Sequence, residues 1–342
     1  MAITLKEVAR KAGVSVTTAS RALSGYDDVA EDTRKRIQHT ADQLGYKPNL
    51  MARRLKTRRT ETIGVIIPSE KPDFANPFIT SFLSGVGDEA AKNQYDLLIS
   101  THAPNSRGEK DAYARAVSGG WVDGVLVLRT RRSDWRIKYL HENNLPFVAY
   151  GRSNFDFGYP CIDEDSITGI RLVTEHLITH GHKSIAFIAP PNDLMFSLLR
   201  REGYIKTMRQ HDLPVRPEWI VEGDMTQRGG YEAMNKLLTL KKRPSGIIAG
   251  NDLMAIGAMD AVKDRGLKIG RDISIASFDD IPIATYTDPP LTTIRQSIFD
   301  VGRMACEMLF HLMEEKEPPR SSTILLKPDL VIRKSTGPIR TH

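Results

Sequence analysis

The first 45 residues repeat their apolar positions with the period of short helices. Leu5, Val8, Ala9 and Ala12 fall at i, i+3, i+4 and i+7, one stripe along a helix. Thr4 and Glu7 at its start fit the S/T-x-x-E capping box. Gly13 then supplies a stop and a tight turn. Ser15 is placed to cap a second helix over 16–23, with Ala19, Ala22 and Leu23 on its inner face. A third helix, from about Glu31 to Leu44, offers Ile37, Ala41 and Leu44 to close a small core. Two short helices joined through a glycine turn are the helix-turn-helix layout, whose second helix enters the major groove of DNA.

Past a polar, charged stretch at 57–62 the rhythm changes. Apolar runs suited to buried parallel strands occur at 63–67, 96–100, 124–128, 147–150, 184–189, 246–249 and 273–277. Helical patterns lie between them at 78–93, 109–118, 167–180, 201–210, 230–240 and 253–265. A late one covers 298–315. Repeated strand–helix units predict doubly wound parallel sheets, and about 280 residues favour two sheets over one. Ligands in such folds sit at the carboxyl ends of strands, so the cleft between two lobes is the expected binding site.

Charge sharpens the division. Residues 1–60 carry 13 Lys and Arg against 6 Asp and Glu, a net +7. The remaining residues hold 35 against 36, a net −1. A basic helical module on a near-neutral body points to a polyanion partner, bound in a salt-sensitive way. The 342 residues are 40% hydrophobic and 26% charged, which excludes wholesale disorder. No apolar run reaches the ~20 residues of a membrane span. The N-terminus has no apolar segment of the secretory kind, so a cytoplasmic protein is expected. Two cysteines, Cys161 and Cys306, make no disulfide framework and read as buried thiols.

The second helix carries suitable chemistry for reading DNA. Arg21 can reach guanine O6 and N7 with two hydrogen bonds. Thr18 and Ser20 offer hydroxyls for phosphate, and Val16 and the Thr17 methyl can touch thymine methyls. After Gly45-Tyr46-Lys47-Pro48, the run Asn49 to Lys56 is short, basic and partly apolar. It reads either as a basic linker or as a small helix that wedges into a minor groove.

The segments TLKEVARKAGVSVTTASRALSG and LGYKPNLMARRLKTRRTETIGVIIP resemble the lactose/galactose repressor (LacI/GalR) family of bacterial transcription regulators. The body is similar to periplasmic sugar-binding proteins. It matches the family at Asn76-Pro77-Phe78, Thr174-Glu175-His176-Leu177, Asn251 to Gly257, Ser277-Phe278-Asp279-Asp280 and Pro290-Leu291-Thr292-Thr293-Ile294.

The resemblance implies that Val16, Thr17 and Arg21 read bases, while Ser15, Thr18, Ser20 and Asn49 contact the backbone or cap helices. Leu55 becomes the minor-groove wedge of a hinge helix and Ala52 its neighbour. Arg200, Asn251 and Asp279 match positions that hold the effector in sugar-responsive members. Asn76 and Phe78 face them from the other lobe, with Arg152 and Asp163 as further strand-end candidates. Chemically Arg donates, Asp accepts and Asn does both, which suits vicinal hydroxyls. A strand-end Asn or Asp is equally able to cap the next helix.

The implied organisation is an all-α helix-turn-helix head at 1–47 and a hinge helix with linker at 48–60. Behind them comes an α/β periplasmic-binding-protein-like body of two doubly wound parallel-sheet lobes. Three crossings, near Cys161, Pro289-Pro290 and Ser321-Ser322, divide it. One lobe holds 61–161 and 291–321, the other 162–290 and 322–342.

Several other signals carry no function. Gly85-Val86-Gly87-Asp88-Glu89-Ala90 fits G-x-G-x-x-A, but within a helix rather than after a strand, so helix packing explains it. His176, His180 and His182 are interrupted by Gly181 and lack a metalloprotease base, so no metal is expected. The acidic run Asp163-Glu164-Asp165 reads as a solvated turn or helix start. No P-loop, G-x-S-x-G or C-x-x-C occurs, and no nucleophile is paired with a base, so an enzyme is not expected and no cofactor is implied.

The expectation is a DNA-binding repressor of carbohydrate-utilisation genes, a homodimer on a pseudo-palindromic operator. Its partners are operator DNA and a small effector, a sugar, with no membrane. The absence of a leucine heptad after the last strands favours a dimer over a tetramer. The alternatives are a purine or other corepressor in the same family, or a solute-binding receptor.

Overall fold

The computed structural model describes residues 3–23, 26–46, 59–68, 76–314 and 323–339. They fall into two compact units, 1–60 and 61–342.

In the first unit, α1 (Leu5–Ala12) opens at a capping box. The Glu7 carboxylate accepts the Thr4 N–H at 2.7 Å and the Thr4 hydroxyl at 2.9 Å. Gly13 ends the helix at φ 67°, a left-handed value that a side chain would strain. Helix α2 (Val16–Leu23) follows, then α3 (Glu31–Leu44). Val8, Ala9, Ala12, Ala19, Ala22, Ile37 and Ala41 are buried together, and Leu5, Leu23 and Leu44 pack against them. Small alanines at these positions let three short helices approach closely around one isoleucine.

The second unit holds two parallel sheets. Its first part runs β1 (Thr62–Pro68), α4 (Pro77–Lys92), β2 (Asp96–His102), α5 (Arg107–Ser118), β3 (Gly124–Val127), α6 (Trp135–Glu142), β4 (Phe147–Tyr150) and β5 (Cys161–Glu164). Next come α7 (Ser166–Thr179), β6 (Ile185–Ala189), α8 (Met195–Gln210), β7 (Ile220–Glu222), α9 (Gln227–Leu238), β8 (Gly246–Ala249), α10 (Asp252–Asp264), β9 (Ser274–Asp279) and β10 (Thr292–Arg295). The chain closes with α11 (Ile298–Glu314), β11 (Thr323–Leu326) and β12 (Asp329–Val331).

One sheet has the order β11-β5-β4-β3-β1-β2 and the other β12-β10-β9-β8-β6-β7. Among the described residues, every pairing of these strands is parallel except β10 with β12. Each sheet is covered on both faces. Helices α4 and α11 pack on one face of the first sheet, α5 and α6 on the other. The second sheet lies between α9/α10 and α7/α8. Burial on both faces explains why strands such as Thr62–Pro68 are continuously apolar rather than alternating.

Gly85 sits inside α4, where a Cβ would overlap the Phe299 carbonyl oxygen at the start of α11. Close helix packing therefore accounts for the G-x-G-x-x-A pattern. The His176 and His182 rings are engaged elsewhere: His176 Nε2 bonds Thr336 at 2.8 Å, and His182 bonds Ser245 and Ser274.

The crossings differ from the expected ones by one strand each. Cys161–Glu164 pairs with β4 and β11 in the first sheet, so the chain crosses after Glu164 rather than at Cys161. Thr292–Arg295 belongs to the second sheet, so the next crossing follows Arg295 rather than Pro290. Thr323–Leu326 belongs to the first sheet, so the third follows Leu326 rather than Ser321-Ser322. Pro289-Pro290 breaks the chain before Thr292–Arg295, and the chain completes that strand before leaving its sheet.

Candidate functional site

The strand ends of both sheets converge on one cleft. Its walls include Asn76, Phe78, Arg129, Tyr150, Asp163, Glu164 and Ser166. Phe196, Arg200, Met225, Asn251, Asp279 and Gln296 complete it. The space is about 610 Å³ with the open solvent at its mouth included. Tyr150, Glu164 and Asp279 are the last residues of β4, β5 and β9, and Asn251 follows β8 before α10. The parallel topology itself delivers these side chains to one place.

Arg200 is buried between two aromatic rings. Its guanidinium lies 3.7 Å from the Phe278 ring centroid and 4.7 Å from that of Phe196. One amino group donates to the Gly250 carbonyl, and the other is 3.9 Å from Asp279 Oδ1. Burial lowers its pKa, and the Asp279 carboxylate opposes that shift. Asp279 is pushed up to about 8, first by burial, with Arg200 opposing and Asp252 adding to the rise. Gln296 Nε2 donates to Asp279 Oδ1 at 2.6 Å, while Gln296 Oε1 accepts the Tyr150 hydroxyl at 2.6 Å. The Tyr150 ring stacks on Phe78, centroids 6.0 Å apart. A hydrogen-bonded chain thus links the first sheet to the second through the crossing at Gln296.

Two expected residues serve as helix caps while lining the cleft. Asn76 Oδ1 accepts the Phe78 N–H at 3.0 Å at the start of α4. Asn251 Oδ1 accepts the Met254 N–H at 3.0 Å at the start of α10, and its amide donates to Met225 O. Arg152 is not brought to the wall: its Nε donates to Asp163 Oδ2 at 2.5 Å, so it acts through Asp163. Of the two readings of the run 163–165, the helix start holds and the solvated turn does not. Asp163 and Glu164 are buried, and Asp165 caps α7 by accepting the Thr168 N–H. Glu164, Ser166, Tyr150, Gln296, Phe196, Met225 and Arg129 were not foreseen. Their strand-end positions, at Tyr150 and Glu164 above all, were the available signal.

The lobes also meet directly beside α8. The Met195 N–H donates to Thr130 O at 2.9 Å, and the Arg132 N–H donates to Asp193 O at 3.0 Å, a two-bond clasp. The first-lobe side of this clasp is braced by buried ion pairs, Arg131 with Glu109 at 2.7 Å and Arg136 with Asp134 at 2.6 Å.

In the first unit, α2 exposes Val16, Thr17 and Arg21, with Thr18 and Ser20 half-buried. Ser15 Oγ accepts the Thr18 N–H at 3.0 Å, capping the helix, and bonds the Thr18 hydroxyl at 2.8 Å. The Arg21 guanidinium pairs with Asp28 and lies 5.5 Å from the Tyr26 ring centroid. Asn49, Ala52 and Leu55 lie outside the described residues.

Comparison with known proteins gives the same division. Residues 4–49 match "Bacterial regulatory proteins, lacI family", and residues 174–336 match "Periplasmic binding protein-like domain". The repressor PurR of Actinobacillus pleuropneumoniae is 35% identical over 97% of this chain and 98% of its own. Catabolite control protein A of Priestia megaterium is 33% identical over 98% and 100%. Among solved structures, the lac repressor dimer bound to operator and the anti-inducer ONPF superposes with a TM-score of 0.87. It is 27% identical over 98% of this chain and 100% of that one. A transcriptional regulator CelR–cellobiose complex gives 0.76 at 28% identity, over 97% and 99%.

Proposed function

The chain belongs to the lacI family of bacterial regulatory proteins and is a DNA-binding transcriptional regulator rather than an enzyme, and from that premise we propose that it is a homodimeric, sugar-responsive repressor of carbohydrate-utilisation genes. The observation that carries the effector half of this reading is the cleft. Arg200 from within α8, and Asn251 and Asp279 from two strand ends, present a buried donor, an amide and an acceptor in the cleft that Phe78 also lines. That set suits a polyol better than a flat base held between aromatic faces. The cellobiose complex of CelR, a structural relative, supports the same class.

For the DNA half, exposed Val16, Thr17 and Arg21 on α2 read base edges in a major groove, and Ser15, Thr18 and Ser20 fix register on phosphates. Two identical reading helices related by a two-fold axis need two half-sites, hence a pseudo-palindromic operator. For the hinge, which lies outside the described residues, the proposed roles are Leu55 as the minor-groove wedge, Ala52 as its neighbour and Asn49 as a backbone or capping contact. Among the described residues no helix is long and apolar enough to cross a membrane. A regulator of this kind works in the cytoplasm, where the DNA is.

The geometry is consistent with effector control. The cleft walls come from both lobes, and the clasp at Met195 and Arg132 joins them. A ligand that contacts both walls has different affinity for two lobe arrangements, and this difference alone is what shifts DNA binding.

The test is a thermal-shift screen of sugars and nucleobases on the full chain, followed by operator titration with each hit. A stabilising sugar that changes operator affinity supports the reading, since binding stabilises the native state. A sugar that binds without altering DNA affinity refutes the regulatory link.

A further inference from the structure

We propose that Glu164 and Ser166, on the first crossing between the lobes, are the specificity pair of the cleft. They select an uncharged polyhydroxyl ligand, with Glu164 Oε2 accepting a hydrogen from one of its hydroxyls. This rests on the cleft being the effector site and adds which atoms choose the effector.

The acidic run 163–165 separates into three roles. The Asp163 carboxylate is occupied by Arg152 Nε and the Glu164 N–H. Asp165 is occupied by the N–H and hydroxyl of Thr168. Glu164 is 3% exposed and lines the cleft, yet its Oε2 has no hydrogen-bond partner among the described residues. The Ser166 hydroxyl, two residues on and 1% exposed, is in the same condition. So is Arg200 Nε across the cleft. Buried polar atoms are almost always bonded in folded proteins, so three orphans on the wall of one cleft mark where ligand atoms belong.

The three atoms also specify the ligand. Carboxylate Oε2 accepts, guanidinium Nε donates, and a serine hydroxyl does either. A ligand that satisfies all three must present donors and acceptors together, as a row of hydroxyls does. An anionic ligand would set its charge against the Glu164 carboxylate, whereas Asp163 is already paired with Arg152. Arg200, a cation on the same wall, is already engaged with Gly250 O and Asp279. Burial pushes Glu164 up to about 7. Asp163, Asp165 and Asp329 raise it further, and Arg200 opposes them. Tyr150 faces it from β4, and Arg129 and Asp279 share the cleft wall. A hydroxyl donated to Oε2 favours the charged form, so ligand uptake releases a proton near neutral pH.

The experiment uses the full chain, calorimetric titration and a panel of ribose, cellobiose and other uncharged sugars, glucose 6-phosphate and adenine. Buffers of different ionisation enthalpy report proton release. Glu164→Leu removes the acceptor, Glu164→Gln keeps a neutral one, and Ser166→Ala removes the hydroxyl. Operator affinity and ligand-free melting of each variant establish that the fold and DNA head are intact. The expected result is an uncharged sugar that binds the wild type with proton release. Glu164→Leu should weaken it by about tenfold or more, a loss consistent with a charge-assisted bond. Glu164→Gln should restore part of the affinity but not the proton release. Equal affinity for wild type and Glu164→Leu overturns the specificity pair and leaves the cleft reading standing. Preference for glucose 6-phosphate or adenine, abolished by Arg200→Ala, overturns the polyol selection while keeping the cleft. No binding by any probe overturns both.

Discussion

Asp279→Asn should flatten the pH dependence of the body's stability. In the folded protein this carboxyl is held up to about 8 by burial, against an ordinary value of 3.8. The folded state therefore keeps a proton that the unfolded chain has lost throughout that interval. A carboxyl with a raised folded-state pKa contributes stability that is fully present below about 3.8 and is lost as pH rises through about 8. One retained proton gives a slope of about 1.4 kcal/mol per pH unit. From about pH 6.0 to about 7.5 the wild type should lose about 2 kcal/mol through this residue alone. The amide variant carries no such penalty, and its side-chain oxygen still accepts from Gln296. Asp252, pushed to about 6, and Glu164, to about 7, add their own slopes in both proteins, so the wild-type–variant difference reports Asp279 together with its interaction with Asp252. The assay is urea unfolding followed by tryptophan fluorescence. The chain's three tryptophans, Trp121, Trp135 and Trp219, all lie beyond residue 60, so the signal reports the body and not the DNA head. With m of about 3 kcal/mol/M, the midpoint gap should widen by roughly 0.7 M across that pH step. Parallel pH profiles for the two proteins would refute the reasoning and place the folded-state carboxyl near its ordinary range.

Met195→Pro should open the clasp without harming α8. Met195 is the first helical residue, where proline is tolerated, and its N–H is the one bonded to Thr130 O. Loss of about 1 kcal/mol should weaken any cleft ligand about fivefold with unchanged ellipticity, and an unaltered titration would show the clasp to be irrelevant to closure. Arg21→Ala should cost about 1–3 kcal/mol on the preferred duplex and relax base preference at one position. Selection from random duplexes that returns the same sequence for both proteins would remove Arg21 as a reader. Arg200→Ala should abolish the ligand-induced change in operator affinity while leaving ligand-free DNA binding within about twofold, measured by fluorescence anisotropy; a preserved response would discard the cleft assignment.

What the sequence revealed depended on how local its cause was. The capping box at Thr4, the stop at Gly13 and the stripe at Val8, Ala9 and Ala12 act within one or two turns, and α1, α2 and α3 could be read from them directly. Strands β1, β4 and β8 were legible because burial on both faces makes them apolar throughout. Helix α6 was missed because its inward face includes Arg136, fully buried only because Asp134 and Glu109 neutralise it. The start of α8 was missed because Met195 to Leu199 is an apolar run without a clear stripe. Strands β5 and β10 were missed because Asp163, Glu164, Thr292 and Thr293 look polar, and their burial depends on neighbouring strands. The same blindness hid Glu164 and Ser166: nothing local distinguishes a solvated acidic turn from one enclosed between two sheets. Arg200, Asn251 and Asp279 were found by motif and strand position, but the Gln296 link from Asp279 to Tyr150 spans residues too distant in sequence to read.

The central claim is that the basic helical head binds duplex DNA under the control of the cleft in the second unit. The most direct test selects duplexes from a random pool with the full chain and titrates the winner across a series of KCl concentrations, with and without the stabilising sugar. Two inverted half-sites, an affinity that falls steeply and linearly on a log–log salt plot, and a displacement of that line by the sugar are the predicted results. No enriched sequence, or retention indifferent to both salt and sugar, would contradict the account.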